Sequence, residues 1–137
     1  MAELSQPLPL LTPENRFFWT SGAEGVLRFM RCQDCRTYIH PPQPVCHGCL
    51  GSHVAPETVP GGGTVAAFTI NHQPWHPAFT PPYALAIVEI DEAPYVRLTT
   101  RVVGCAMEEV RIGLRGMFEF EQVEDVWLPI FRANGNG

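Results

Sequence analysis

The sequence contains no lysine, so its nine strongly basic side chains are all arginines. This absence excludes Schiff-base chemistry and a lysine nucleophile on this polypeptide. Positive charge is also outweighed, because 14 acidic residues give a net charge of −5 at pH 7. Residues 1–50 are balanced, whereas residues 51–137 hold ten acids and five arginines. A duplex-binding protein needs a basic face that releases phosphate counterions, so this composition argues against that class.

Long apolar runs are missing as well, since no stretch approaches the ~20 residues of a transmembrane helix. The N-terminus lacks a basic segment followed by an apolar run, so we predict no signal peptide and no membrane contact. We therefore expect a soluble protein of the reducing cytoplasm. Proline and glycine are abundant, at 14 and 12 residues, beside an apolar fraction of 45%. This composition predicts short elements and many turns around a real core, and hence a β-rich fold.

Four of the five cysteines form two C-x-x-C pairs, Cys32 with Cys35 and Cys46 with Cys49, separated by ten residues. Two such turns can face each other and hold four thiolates around a zinc ion, at Zn–S distances of about 2.3 Å. A pair of disulfides or a redox dithiol is the alternative. Because nothing else in the chain suggests secretion, we predict a structural Zn²⁺ site with a complete thiolate shell.

Other residues near the cysteine pairs bear on this site. Zinc ribbons often carry glycine directly after each C-x-x-C, but here Arg36 and Leu50 stand there, so we expect a slightly different turn geometry. His40, His47 and His53 each could replace a cysteine as ligand. Four thiolates already complete the shell, so we predict that these histidines are surface residues.

The segment before the cysteines predicts one short helix. Residues 1–11 have no periodicity and are expected to form a loose arm. Thr12 can cap a helix whose first positions are proline and glutamate, as the helix dipole favours. Gly22 or Gly25 can end this helix. Residues 26–31 then alternate in polarity, which predicts a strand that leads into the first cysteine pair.

Two groups of large side chains are candidates for contact with a partner or ligand. Three consecutive aromatic residues in the helix cannot share one face, and the proline-rich connection over residues 71–82 presents further large side chains. Burial within the home domain is the alternative for both groups. The candidates are Phe18, Trp19, Trp75, His76 and Phe79.

The second half of the chain predicts a barrel. Alternating and β-branched residues predict strands over residues 65–70, 83–90, 95–103, 117–123 and 126–131. Pro129 restricts the last strand to an edge. There is no room for crossover helices, so an antiparallel sheet curled into a small barrel is expected. The glycine- and proline-rich residues 51–63 predict the boundary between the metal module and this barrel, and the triple glycine at 61–63 predicts a flexible link or bulge there.

Side chains suited to catalysis are few. Cys105 is the only cysteine outside the metal set, and a lone cysteine after a strand is usually an inert apolar filler. His72 and His76 are four residues apart, but they lie in a proline-rich loop rather than on a helix, so we do not expect them to share a metal. These residues therefore predict no catalytic site of the chain's own.

Several short motifs occur in a characteristic order along the chain. An aromatic helix precedes C-x-x-C, a His-Pro-Pro segment, the second C-x-x-C and the strands. The motifs include Phe18-Trp19, Arg31-Cys32, His40-Pro41-Pro42, Pro82-Tyr83, Arg97-Leu98, Ile112-Gly113 and Phe118-Glu119. In this combination, over about residues 13–132, the chain resembles the acyl-CoA-associated OB-fold proteins with an N-terminal rubredoxin-like zinc ribbon, long catalogued as a domain of unknown function.

The resemblance implies a mainly β fold in three parts. An N-terminal arm and helix would span residues 1–25, and the zinc ribbon residues 26–60. A five-stranded antiparallel OB-fold barrel would span residues 61–137.

The resemblance also implies an accessory role beside a sterol-carrier-type thiolase-like subunit, in a heterotetramer. That partner carries the chemistry, as a retro-aldolase that cleaves steroid side-chain CoA thioesters or as an acyltransferase. This chain then stabilises the partner and shapes its acyl-CoA site. Arg28, Arg31 and Arg36 are candidates for contact with CoA phosphates, with ordinary surface charge as the alternative.

Two other functions stay open at this point. Zinc ribbons and OB-folds can both bind single-stranded nucleic acids through aromatic platforms and basic grooves, although the acidic balance of residues 51–137 argues against this. The second is a stand-alone acyl-CoA binding protein or hydrolase, whose turnover would depend on Cys105 or His76.

Overall fold

The helical segment at the N-terminus is shorter than expected. The computed structural model of the chain describes residues 9–72 and 82–134. Helix α1 spans Arg16–Thr20 and continues as a 3-10 turn over Ser21–Glu24, which ends at Gly25 in the left-handed conformation (φ 73°). The Thr12 hydroxyl accepts a hydrogen bond from the Asn15 N–H, and Asn15 Oδ1 accepts one from the Thr12 N–H. These two bonds cap a first turn at Thr12, as expected, and the Arg16 N–H donates to the Thr12 carbonyl at 3.0 Å, so this turn leads directly into α1 at Arg16.

Three strands form the ribbon sheet around the cysteines. They are β1 (Leu27–Cys32), β2 (Tyr38–Ile39) and β3 (Val54–Val59), in the antiparallel order β2-β1-β3. Strand β3 lies in the first part of the predicted boundary segment 51–63, and it pairs with the whole of β1. Because β3 is an edge strand, Pro56 can lie within it without removing a needed ladder hydrogen bond.

Two of the three glycines at the junction, Gly62 and Gly63, belong to a strand rather than to a flexible link. Strand β4 spans Gly62–Asn71. A Cβ atom on Gly63 would lie 2.6 Å from Val88 Cγ1 and 2.8 Å from the Glu89 carbonyl oxygen. A side chain therefore cannot fit where β4 meets its neighbour, and the glycine is required by close strand approach.

Five strands close into a barrel, as predicted. They are β4, β5 (Tyr83–Ile90), β6 (Ala93–Val103), β7 (Arg115–Val123) and β8 (Val126–Ala133), in the cyclic order β4-β5-β6-β8-β7. One correction concerns direction, because β6 and β8 pair in parallel over two residues each. A closed ring with an odd number of strands cannot alternate in direction throughout, so one pair must run parallel.

Ribbon and barrel share the larger of two hydrophobic clusters. In β5 the residues Ala84, Ala86, Val88 and Ile90 are buried and alternate with half-buried ones, as expected for a barrel wall. From the N-terminal half, Phe18, Leu27, Phe29, Tyr38 and Val59 are buried in the same cluster. The division at residues 25 and 60 stays a prediction.

No helix within the described residues has the length and apolar character needed to cross a membrane.

Candidate metal centre

The four predicted metal ligands come together between the two cysteine turns. Their Sγ atoms all lie within 4.8 Å of one another. The Sγ–Sγ distance is 3.6 Å for Cys32 and Cys49 and 3.5 Å for Cys35 and Cys46. Zn–S bonds of about 2.3 Å at tetrahedral angles require sulfurs about 3.8 Å apart, whereas a disulfide requires about 2.05 Å. The four cysteines therefore fit a zinc ion and are not paired as disulfides.

Each cysteine turn is closed by the same two backbone hydrogen bonds. In the first turn, the Arg36 N–H donates to the Cys32 carbonyl at 3.0 Å, and the Cys32 N–H donates to the Thr37 carbonyl at 2.9 Å. In the second turn, the Leu50 N–H donates to the Cys46 carbonyl and the Cys46 N–H to the Gly51 carbonyl, both at 2.8 Å. The two halves of the site are therefore local copies of one structure.

The residue after each pair adopts the backbone that glycine favours. Arg36 has φ 69° and Leu50 has φ 65°, so both lie in the left-handed region. We expected the missing glycines to change the turns, but the two residues keep this conformation instead. The left-handed region costs an L-residue roughly 1–2 kcal/mol.

The pKa values of two of the four cysteines, Cys35 and Cys49, are shifted in opposite directions. Hydrogen bonds from the side chain and backbone of Thr37 lower the pKa of Cys35 to about 6. A hydrogen bond from the Gly51 N–H lowers the pKa of Cys49. Hydrogen bonds with Cys32 and Cys35 together outweigh it, and the pKa is raised to about 12. One thiolate therefore forms readily while the last one resists, and a bound dication would remove this resistance. When bound, zinc supplies structure, because its four positions are filled by protein sulfur.

The three histidines near the cysteines differ from one another. His47 and His53 are exposed, as expected. The expectation of a surface residue is wrong for His40, whose ring is half-buried 4.9 Å from the ring of Phe18 and 5.1 Å from that of Phe29. Its Nδ1 atom is shielded and has no hydrogen-bond partner among the described residues. Desolvation lowers the pKa of His40 to about 4, so the ring is neutral at physiological pH.

The arginines proposed for CoA phosphates have partners on this chain. Arg28 lies 2.6 Å from Glu24. Arg31 and Arg36 share Glu57, at 3.3 and 2.9 Å. Their role toward CoA stays a prediction, and the geometry gives each of them a place in holding the ribbon together.

The aromatic candidates are only partly described. Phe18 is buried and Trp19 half-buried, and both line a cavity beside the barrel. Their contact with a partner or ligand stays a prediction. Trp75, His76 and Phe79 lie outside the described residues.

The remaining cysteine is not activated. Burial raises the pKa of Cys105, and the carboxylate of Glu109 raises it further. The thiol is therefore protonated at neutral pH and is a poor nucleophile.

Known proteins share both halves of this architecture. Residues 19–55 match the family described as "ChsH2, rubredoxin-like zinc ribbon domain", and residues 56–116 match "ChsH2, C-terminal OB-fold domain". The solved structure described as "Ltp2-ChsH2(DUF35) aldolase" superposes with a TM-score of 0.83 at 32% identity, over 92% of this chain and 98% of that one. The chain belongs to the DUF35 family. The helix, ribbon and OB barrel described above are thus the architecture of this family.

Two curated relatives are longer than this DUF35 chain. The "Probable enoyl-CoA hydratase alpha subunit" of Thermomonospora curvata is 33% identical over 93% of this chain. The "3-oxo-4,17-pregnadiene-20-carboxyl-CoA hydratase alpha subunit" of Mycobacterium tuberculosis is 30% identical over 77% of it. The chain spans 40% and 33% of the lengths of these relatives.

Proposed function

We propose that this chain is a non-catalytic accessory subunit of a thiolase-superfamily enzyme that acts on CoA thioesters. The specific reaction we propose is retro-aldol cleavage of a steroid side-chain CoA thioester, with the chemistry on the thiolase-like subunit. The observation that carries the proposal is the likeness to the chain of the Ltp2-ChsH2(DUF35) aldolase over 98% of its length. The names of the two curated alpha subunits support a CoA thioester as the substrate class.

The chemistry of the described side chains supports an accessory role. Four cysteine sulfurs fill the coordination sphere of a zinc ion, which leaves no position for a substrate or a catalytic water. Cys105 is protonated and His40 is neutral and enclosed by aromatic rings. None of these groups is prepared to act as a nucleophile or general base toward a thioester.

The arginines of the chain favour this proposal over nucleic-acid binding. Within the part of the chain that the structure describes, seven of the nine arginines form ion pairs with carboxylates. On the outer face of β5 and β6, which binds oligonucleotides in many OB-folds, Arg97 pairs with Glu89 and Arg101 with Glu121. Paired arginines leave little free positive charge for phosphates.

We propose the reducing cytoplasm as the compartment, because thiolates must stay reduced to hold zinc.

Co-expression tests this function. The chain is produced with a candidate sterol-carrier-type thiolase-like protein of the same organism, purified through a tag on that protein, and assayed for aldol cleavage of a steroid side-chain CoA thioester. We expect a stable complex of both chains, with cleavage that requires both. Cys46→Ser should abolish recovery of this chain, whereas the matched control Cys105→Ser should not. A chain that stays a free monomer beside that protein would refute the proposal.

A further inference from the structure

The cysteine cluster has an inner and an outer side. The first cysteine of each C-x-x-C pair, Cys32 or Cys46, is fully buried, whereas the second, Cys35 or Cys49, is exposed. Cys32 Sγ accepts a hydrogen bond from the Cys35 N–H at 3.4 Å, and Cys46 Sγ accepts one from the Gly48 N–H at 3.2 Å. Backbone amides therefore hold the inner sulfurs, while the outer cysteines face solvent.

A space beside Gly48 opens onto a hydroxyl and two of these sulfurs. Gly48 is exposed and has no side chain. A Cβ atom built on it would lie 3.3 Å from Thr37 Oγ1, 3.5 Å from Cys46 Sγ and 3.8 Å from Cys35 Sγ. We call this space the Gly48 notch. It has room for a methyl group in contact with all three atoms, and the oxygen atom of a small oxidant is no larger.

The other outer sulfur has different neighbours. A Cβ atom on Gly51 would lie 3.3 Å from Cys49 Sγ and 3.5 Å from Asp34 Oδ2, and no second sulfur of the described residues lies within 4 Å of it. Asp34 also pairs with the exposed His53, at 3.3 Å. A carboxylate thus lies here in place of the hydroxyl of the Gly48 notch, and an ionised carboxylate donates no hydrogen bond.

The atoms around the Gly48 notch can reduce a peroxide. The Cys35 thiolate attacks one peroxide oxygen, so that an S–O bond forms, the O–O bond breaks and hydroxide leaves. Thr37 Oγ1 lies 3.2 Å from Cys35 Sγ, where its hydroxyl can donate a hydrogen bond to the leaving oxygen. Cys35 is then a sulfenic acid, oxidised by two electrons. The Cys46 thiolate, 3.5 Å away, attacks this sulfur, so that an S–S bond forms, the S–O bond breaks and a second hydroxide leaves.

We propose that Cys35 and Cys46 are a peroxide-sensitive pair, whose oxidation joins the two cysteine turns by a disulfide and releases zinc. Two thiolates remain after this step, and they cannot supply the four-coordinate shell of a structural zinc site. A dithiol reductant reverses the step by thiol–disulfide exchange, after which the chain can bind zinc again. This inference does not depend on the proposed function.

Peroxide treatment of the zinc-loaded full chain tests the pair. Cys105→Ser provides the background, because it removes the cysteine outside the cluster. Hydrogen peroxide is added, zinc release is followed with a chromogenic chelator, and disulfides are mapped by mass spectrometry without reduction. Cleavage before Asp34 separates the two cysteines of the first pair, and fragmentation of the peptides distinguishes those of the second.

We expect each zinc ion released to be accompanied by one disulfide between Cys35 and Cys46. A first disulfide between any other two cysteines would overturn the proposal. Zinc that is retained in peroxide, or released without a disulfide, would overturn it as well. Failure of dithiothreitol and added zinc to restore the metal would show irreversible oxidation and would also count against it.

Two glycine variants test the route of the oxidant. Gly48→Ala places a methyl group in the Gly48 notch and should slow zinc release by peroxide roughly threefold or more. The matched control Gly51→Ala places a methyl group 3.3 Å from Cys49 Sγ and should leave the rate within about twofold. Neither glycine has a positive φ, so both positions accept alanine. Equal rates in the two variants would overturn the proposal.

Variants of Thr37 test the hydroxyl. Thr37→Val should slow zinc release by peroxide roughly tenfold, whereas Thr37→Ser keeps the hydroxyl and should match the wild type. Zinc loss to the chelator without peroxide separates this chemistry from a weakened metal site, and we expect it to be equal in all three proteins. If the hydroxyl served only the structure, Thr37→Val would lose zinc faster in both conditions, and the proposal would fail.

Discussion

Acid should destabilise this fold through His40, whose ring lies between Phe18 and Phe29. Desolvation lowers the pKa of His40 from its ordinary 6.5 to about 4. Between these two values the unfolded chain binds a proton that the folded chain excludes. The stabilisation from the neutral ring is thus complete above about pH 6.5 and is lost as the pH falls toward 4. A difference of about 2.5 pKa units corresponds to about 3 kcal/mol in total.

Urea denaturation between pH 7.5 and 5 measures this effect. By pH 5 the His40 contribution should have lowered the free energy of unfolding by about 2 kcal/mol. His40→Phe keeps an aromatic ring between Phe18 and Phe29 and removes the titrating group. This variant should lose about 2 kcal/mol less than the wild type over the same pH range.

The control separates this effect from loss of metal. Protonation of the cysteines releases zinc in both proteins, so only the difference between their pH profiles reports His40. His53→Gln, which changes an exposed histidine beside Asp34, is the control for removal of a histidine elsewhere on the surface. Equal slopes for the wild type and His40→Phe, at equal zinc content, would refute this reasoning.

Three further substitutions test the fold and the metal site. Cys46→Ser should lose zinc and the folded state together, as seen by metal analysis and circular dichroism, because metal binding supplies folding free energy; a folded zinc-free variant would contradict this. Leu50→Gly removes a left-handed, exposed side chain and should raise the free energy of unfolding by about 1 kcal/mol; a destabilised variant would argue against strain at this residue. Gly63→Ala should lower the free energy of unfolding by about 2 kcal/mol, because the added methyl group meets Val88 and Glu89. An unchanged urea midpoint would show that β4 and β5 can move apart.

The metal site could be predicted from the sequence because its geometry is local. Each cysteine pair lies within one turn of six residues, and two backbone hydrogen bonds close that turn. The barrel strands could be predicted for a related reason. Alternation of buried and half-buried side chains, as over residues 84–90, indicates which face of a strand is turned toward the core. Even the left-handed residues Arg36 and Leu50 stand at the positions where glycine is common.

Features that join distant parts of the chain required the tertiary structure. The enclosure of His40 depends on Phe18 and Phe29 from two other elements, and its lowered pKa follows from that desolvation. From the sequence alone, Gly63 predicts a flexible link. Only the structure shows that Val88 leaves no room for a side chain at this position.

The sequence by itself determined the four zinc ligands and the strands, because short-range turns and periodicity specify both. Only the tertiary structure decided the parallel seam between β6 and β8 and the cavity beside it. Periodicity shows that a face is apolar but not which face it meets. The direction of the last pair and the space left at the seam arise only when five strands close on themselves.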